Sequence, residues 1–223
     1  MSRLPVEDFA RLAPGLKKVT LIKGEILYPA GGNIELVYFP STALVSLSAA
    51  SIHGHTVEVG MTGFEGCVGV PVLWQAKQSP FQTTTQITGQ AWQVNAEMLL
   101  AEAGRCGSLQ KLLLGYTNLL CTQVAQSAMC NRFHTPEERL CRWLLAGQDR
   151  QQTDTLELTQ ELISSLLGSN RSTVTITARM LQAAGLIRYK RGIITLLDRP
   201  GLEELACECY GIVKREFTRF LNS

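Results

Sequence analysis

Two spacings of apolar residues divide the chain near residue 95. Between about 19 and 95, short runs rich in Val, Ile, Thr, Tyr and Phe alternate with Gly24, Gly31-Gly32, Gly54, Gly60, Gly63, Gly66, Gly69 and Gly89. Runs of this kind, bounded by turn residues, predict strands at 25–28, 36–39, 44–47, 56–59, 83–88 and 91–94. Many short strands at regular spacing predict a small barrel, roll or sandwich.

Beyond residue 95 the glycines thin out and a helical period takes over. Asn95 is placed to cap a short helix at 97–103, and a long helix is predicted over about 108–131. Along it Leu109, Leu113, Tyr116, Leu120, Gln123, Ser127 and Cys130 follow steps of four and three, an a/d seam that weakens towards its polar end. Two readings fit this stripe: it seats the same helix of a second copy, or it closes the open side of the strand domain; a helix can also do both, with one stripe inward and one towards a partner. Thr135-Pro136-Glu137-Glu138 then starts a new helix, with Thr135 as N-cap, Pro136 at N1 and Glu138 completing a capping box. Leu140, Trp143, Leu144 and Leu145 face inward on it, and 147–154 reads as a polar turn. The boundary at 131–134 gives two domains, 1–134 and 135–223.

The C-terminal domain carries the chemistry. Residues 160–167 predict a short amphipathic helix capped by Thr159 and ended by Gly168, where a sharp turn needs positive φ. Ser169-Asn170 leads into a second helix at 171–184. Ile163, Leu167, Val174, Ala178 and Leu181 are spaced to share a core, which leaves Arg171, Ser172, Thr175, Ile176 and Arg179 on the outer face. An arginine at a helix start can bond guanine O6 and N7 bidentately, and a serine can bond a base edge or a phosphate. Thr175 and Ile176 suit a thymine methyl, and Arg179 suits a phosphate. Residues 186–196 then predict a tight hairpin with Arg191-Gly192 at the turn, and Lys190 and Arg191 at a tip able to touch the DNA backbone. Net charge is only +2, yet no Asp or Glu falls from Leu162 to Leu197, where Arg171, Arg179, Arg188, Lys190 and Arg191 lie. Helix, glycine turn, basic helix and basic hairpin, in that order, predict a winged helix-turn-helix that binds double-stranded DNA.

Composition adds limits. With 223 residues and 45% hydrophobic content, a packed core is expected. No apolar run approaches the roughly 18 residues that span a bilayer, so no membrane association is expected. The first residues lack the apolar stretch of a secretory signal, so a cytoplasmic location and reduced thiols are expected. The seven cysteines cannot all pair within one chain.

The order of elements resembles the Crp/Fnr superfamily of bacterial transcription regulators. The resemblance rests on Gly168-Ser169-Asn170-Arg171-Ser172-Thr173-Val174 and Arg191-Gly192-Ile193-Ile194, and on Lys23-Gly24-Glu25-Ile26-Leu27-Tyr28 with Gly31 and Tyr38-Phe39. It implies an α+β fold: an N-terminal β-roll of the cyclic-nucleotide-binding type, a long dimerisation helix and a C-terminal winged helix-turn-helix. It further implies a homodimer on a near-palindromic operator, gated by a signal in the roll, with RNA polymerase as a protein partner. An effector pocket would fall at Glu65, Gly66, Gln82 and Thr83. The cyclic-nucleotide members of the family grip the phosphate with an arginine, but residues 79–85 contain none. An anionic phosphate without its cationic partner is poorly held, so the signal is not expected to be cyclic AMP. The recognition helix also departs from the family pattern at Ser172 and Ile176, which implies a different operator.

The remaining candidates carry less. No cysteine precedes Cys67, so the N-terminal iron–sulfur cluster of some relatives is not expected. Cys207 and Cys209 read as positions i and i+2 of one late helix that starts near Asp198 and Pro200, where they point apart. His53-Gly54-His55 offers two imidazoles in a turn without a third ligand, and His134 reads as a boundary residue. No metal and no cofactor are therefore expected. GxSxG, P-loop and HExxH motifs are absent, so no enzyme is expected. The competing reading, a cyclic-nucleotide-sensing module acting on a protein partner, would need the phosphate-binding arginine and no basic helix-turn-helix.

Overall fold

All six strands predicted from the first half are present, as short runs between turn residues. The computed structural model describes residues 3–53 and 56–223. Gly54 and His55, part of the predicted His53-Gly54-His55 turn, lie outside the described residues. After helix α1 (Val6–Leu12) come β1 (Lys17–Leu21), β2 (Ile26–Tyr28), β3 (Leu36–Pro40), β4 (Leu44–Ala50), β5 (Thr56–Thr62), β6 (Gln82–Ile87) and β7 (Gly89–Asn95). They form two sheets, ordered β1-β7-β3 and β2-β6-β4-β5. In the first, β7 is central, with Ala91 opposite Val19 of β1 and Val94 opposite Val37 of β3. Ala91, Val94 and Val37 are buried, while Trp92 turns outward.

Helix α2 (Ala96–Ala103) begins where Asn95 accepts from the N–H groups of Glu97 and Met98, and α3 (Ser108–Phe133) follows. The chain forms two compact units, Met1–Ala49 with Met61–Cys121, and Ala50–Gly60 with Thr122–Ser223. The division thus falls inside α3 rather than at the expected position 134. Segment 50–60 joins the second unit through specific bonds. The Trp143 indole N–H donates to Glu58 Oε1 at 2.7 Å in a buried setting, and the Thr56 and Ser165 hydroxyls meet at 3.1 Å.

The rest of the second unit comprises α4 (Pro136–Gln151), β8 (Thr155–Glu157), α5 (Gln160–Leu167), α6 (Arg171–Ala183), β9 (Ile187–Lys190), β10 (Ile193–Leu196), α7 (Arg199–Leu205) and α8 (Glu208–Asn222). The capping box at Thr135 and Glu138 is formed. Its three small strands order as β8-β10-β9. Leu140, Trp143, Leu144 and Leu145 of α4 are buried, as are Ile163, Leu167, Val174, Ala178 and Leu181 of the helix pair. Arg199 ties α7 to its neighbours, donating to Gln148, Asp149 and the Tyr210 hydroxyl. Among the described residues, no helix is long and apolar enough to cross a membrane.

Three expectations need correction. First, α4 runs through Gly147 to Gln151, so the polar turn shrinks to its end; the buried helix face outweighs the intrinsic cost of one glycine. Second, the late helix is two helices. Ala206 and Cys207 have extended backbone (ψ 144 and 159), and α8 starts only at Glu208. Third, the predicted dimerisation seam lies inside the chain's own packing. Leu109, Leu113, Tyr116, Leu120, Gln123, Ser127 and Cys130 are all buried within a single copy. Of the two readings of that stripe, the one that turns it towards its own chain describes the structure.

The Trp143–Glu58 bond gives a stability test. Trp143→Phe keeps an aromatic ring but takes a donor from a buried carboxylate, a change that should cost about 1–3 kcal/mol. Urea unfolding followed by circular dichroism should show the lower midpoint; an unchanged midpoint would mean that the bond contributes nothing.

Candidate nucleic-acid interface

The helix pair is built by its caps and its turn. Thr159 accepts from the Leu162 N–H at 3.2 Å, and Asn170 accepts from the Thr173 N–H at 2.8 Å. Between them Gly168 sits at φ 56, in the left-handed region, with the Ser169 N–H returning to the Ser164 carbonyl at 3.0 Å. Val174, Thr177, Ala178 and Leu181 then face the core of the unit. On the opposite face Arg171, Ser172, Ile176 and Arg179 are exposed and Thr175 is partly so. Ile176 is 58% and Met180 53% exposed on this face. The sequence reading did not select Met180; its place one turn after Ile176 was the available signal.

Local bonds qualify several roles. The Asn170 side-chain oxygen accepts from the Thr173 N–H, the Thr173 hydroxyl and the Ser172 hydroxyl. That oxygen therefore serves the cap, and the amide nitrogen is the group left to donate to DNA. Ser169 is half-buried, with its hydroxyl donating to the Leu167 carbonyl at 3.4 Å. The Thr175 hydroxyl donates to the Arg171 carbonyl at 2.9 Å, so it is already engaged within the helix. Arg171 pairs with Glu161 at 2.6 Å, both side chains being mostly exposed. A surface ion pair of this kind is worth about 0–1 kcal/mol, so it opens readily to a better anion.

The predicted hairpin is formed by β9 and β10, with Lys190 opposite Ile193. Its two-residue turn has Arg191 at φ 51 and Gly192 at φ 78, the two positive values of a type I′ turn. Arg188, Lys190 and Arg191 are exposed. The Tyr189 N–H donates to Gln182 Oε1 at 2.7 Å, which fixes the hairpin to α6.

Of the four expected effector residues, Glu65 and Thr83 are buried, and Gly66 and Gln82 are half-buried. Glu65 is buried and its carboxylate accepts from the Gly63 N–H at 3.1 Å. The Gln82 amide donates to the Thr84 hydroxyl at 3.5 Å. The ring of Tyr116 lies against Gly66 so closely that a Cβ there would stand 2.0 Å from it. The Tyr116 hydroxyl is held by Thr62 at 2.7 Å.

A second cluster, which sequence reading missed, joins Cys130, His134, Cys207 and Cys209. Because Cys207 precedes α8 with extended backbone, it and Cys209 converge instead of pointing apart. The hydrogen bond with Cys207 draws the Cys130 thiol below its usual value against the opposing effect of burial, helped by the charge of Arg142. Burial acts to lower His134, but its bonds to Cys130 and the charge of Glu208 hold it above the usual imidazole value.

Residues 138–205 match the Crp-like helix-turn-helix domain. No curated protein matches the chain in sequence. Solved structures are similar in fold. FixK2 from Bradyrhizobium japonicum has a TM-score of 0.73 at 18% identity, over 86% of this chain and 98% of that one. The c-di-GMP-responsive global regulator CLP of Xanthomonas campestris has a TM-score of 0.68 at 15% identity, over 87% of this chain and 100% of its own. TTHB099, a CRP-family transcriptional regulator from Thermus thermophilus, has a TM-score of 0.61 at 17% identity, over 84% and 96%. Residues 138–205 are thus a Crp-like helix-turn-helix domain, and the chain as a whole shares the fold of these solved structures.

Proposed function

We propose that the chain reads a specific, near-palindromic DNA site as a homodimer, with α6 in the major groove and the β9–β10 hairpin on the backbone. The observation that carries this reading is the outer face of α6. It presents two arginines and two exposed apolar side chains, Ile176 and Met180, with the basic hairpin tied beside it. Exposed apolar groups between arginines are unfavourable against water and favourable against thymine methyls. Arg171 exchanges Glu161 for a guanine edge; Arg179, Lys190 and Arg191 take phosphates. Bound in this way, the dimer acts on transcription by RNA polymerase.

The dimer forms through the outward stripe of α3, since the inward one is core. Leu114, Asn118, Cys121, Ala125, Ala128 and Arg132 are exposed at steps of four and three, with Met129 and Phe133 flanking them. This is a second a/d repeat, offset from the first. The signal that gates binding is not cyclic AMP: the roll offers no arginine at 79–85, and Tyr116 is packed on Gly66.

Three outcomes test these statements. In fluorescence anisotropy, Arg171→Ala should equalise affinity for a selected duplex and a scrambled one, whereas Lys190→Ala should weaken both alike and lower the salt slope by about one. Equal loss on both duplexes for Arg171→Ala would contradict base reading. Leu114→Glu should convert the dimer to monomers in sedimentation equilibrium and weaken binding to a two-half-site duplex by about 100-fold or more; a persistent dimer would rule out this stripe. Cyclic AMP at about 1 mM should leave the melting temperature unchanged, where a micromolar site would add about 4 kcal/mol.

A further inference from the structure

The cysteines that the DNA-binding reading leaves unused sit in one place. Cys130 and His134 are one helical turn apart at the end of α3, and Cys207 and Cys209 flank the first residue of α8. Their four ligand atoms all lie within 4.8 Å of one another. The Cys130 and Cys207 sulfurs are 3.5 Å apart, and Cys209 Sγ is 3.7 Å from His134 Nδ1. All three cysteines are buried, at 0%, 4% and 1% exposure.

We infer that Cys130, His134, Cys207 and Cys209 bind one zinc ion, tetrahedrally and without an open position. Zn–S bonds of about 2.3 Å and a Zn–N bond of about 2.0 Å set neighbouring ligand atoms roughly 3.5–3.8 Å apart. The Cys130–Cys207 and Cys209–His134 separations, 3.5 and 3.7 Å, fall in that range. Three thiolates and an imidazole in a tetrahedron suit zinc above the hard cations. A two- or four-iron cluster places sulfide-bridged irons between its ligands and needs a wider spread of thiolates than this.

The surroundings support the assignment. His134 turns Nδ1 to the cluster while Nε2 meets the Glu208 carboxylate at 3.2 Å. A metal-bound histidine is commonly held in this manner, its second nitrogen donating to a carboxylate. Three thiolates, a neutral imidazole and a divalent ion leave one net negative charge. Arg142 acts electrostatically on all three thiols, and Arg139 on Cys130 and Cys207, so positive charge faces the site. With four protein ligands the ion has no vacancy for substrate, and its role is to clamp the end of α3 to the start of α8. Binding energy at such a site is folding energy.

The test uses the full chain, expressed in zinc-supplemented medium and purified without chelator or polyhistidine tag. Mass spectrometry of the metals should find about one zinc per chain, released when a mercurial reagent titrates the thiols. Replacement by Co2+ should give the intense d–d bands of a tetrahedral thiolate site. Cys209→Ser should lose most of the zinc, while His134→Cys, which keeps a tetrahedral donor set, and Cys106→Ser, outside the cluster, should retain it. Wild-type protein that is folded yet carries less than a tenth of an equivalent of zinc would overturn the inference. So would a Cys130–Cys207 disulfide in freshly isolated protein, or the visible absorption of an iron–sulfur cluster.

Discussion

The exposed outer face of α6 exists because the chain reverses at Gly168. At φ 56 this residue ends α5 and lets Ser169 and Asn170 start α6 within two residues. The short reversal sends Val174, Ala178 and Leu181 back onto Ile163 and Leu167, in one buried core. With that stripe committed inward, the helix has no choice about its other side: Arg171, Ile176, Arg179 and Met180 face water. A β-carbon at position 168 would strain the left-handed backbone, and the orientation of the whole recognition surface would shift with it. Function here is the by-product of a packing constraint, which fixes one face and thereby exposes the other.

Capping and charge then prepare that face for an anion. The first turn of α6 has no acid, and its N-cap, Asn170, is spent on the helix itself. The nearest carboxylate, Glu161, neutralises Arg171 across the turn. That pair holds the arginine only as strongly as a surface ion pair can. The type I′ turn at Arg191-Gly192 places a second cationic group at a tip, and the Tyr189–Gln182 bond ties the hairpin to the helix.

What the sequence made legible followed strong local signals. Caps at Asn95, Thr135, Thr159 and Asn170 and the turn at Gly168 are where the residue types placed them, because each satisfies backbone groups within a few residues. The seam on α3 shows the limit of periodicity. A 3.5-residue repeat reveals that a stripe is buried, not what buries it, and Leu109 to Cys130 turned out to face their own chain. The outward repeat around Leu114 and Cys121 is more polar and was hidden behind the stronger one. The thiol cluster was illegible for a different reason. No glycine or proline marks the break at Ala206-Cys207, so one helix was the natural reading, and on one helix Cys207 and Cys209 diverge. Only the fold brings residues 130 and 207 within 3.5 Å, sulfur to sulfur.

Whether the outer face of α6 reads base sequence is settled most directly by selecting bound duplexes from a random pool and sequencing them. The expected result is an enriched pair of inverted half-sites about one helical turn apart, with guanine at the position facing Arg171 and thymine beside Ile176. A pool that stays random after repeated rounds, while the protein still retains duplex at low salt, would contradict base reading by this helix.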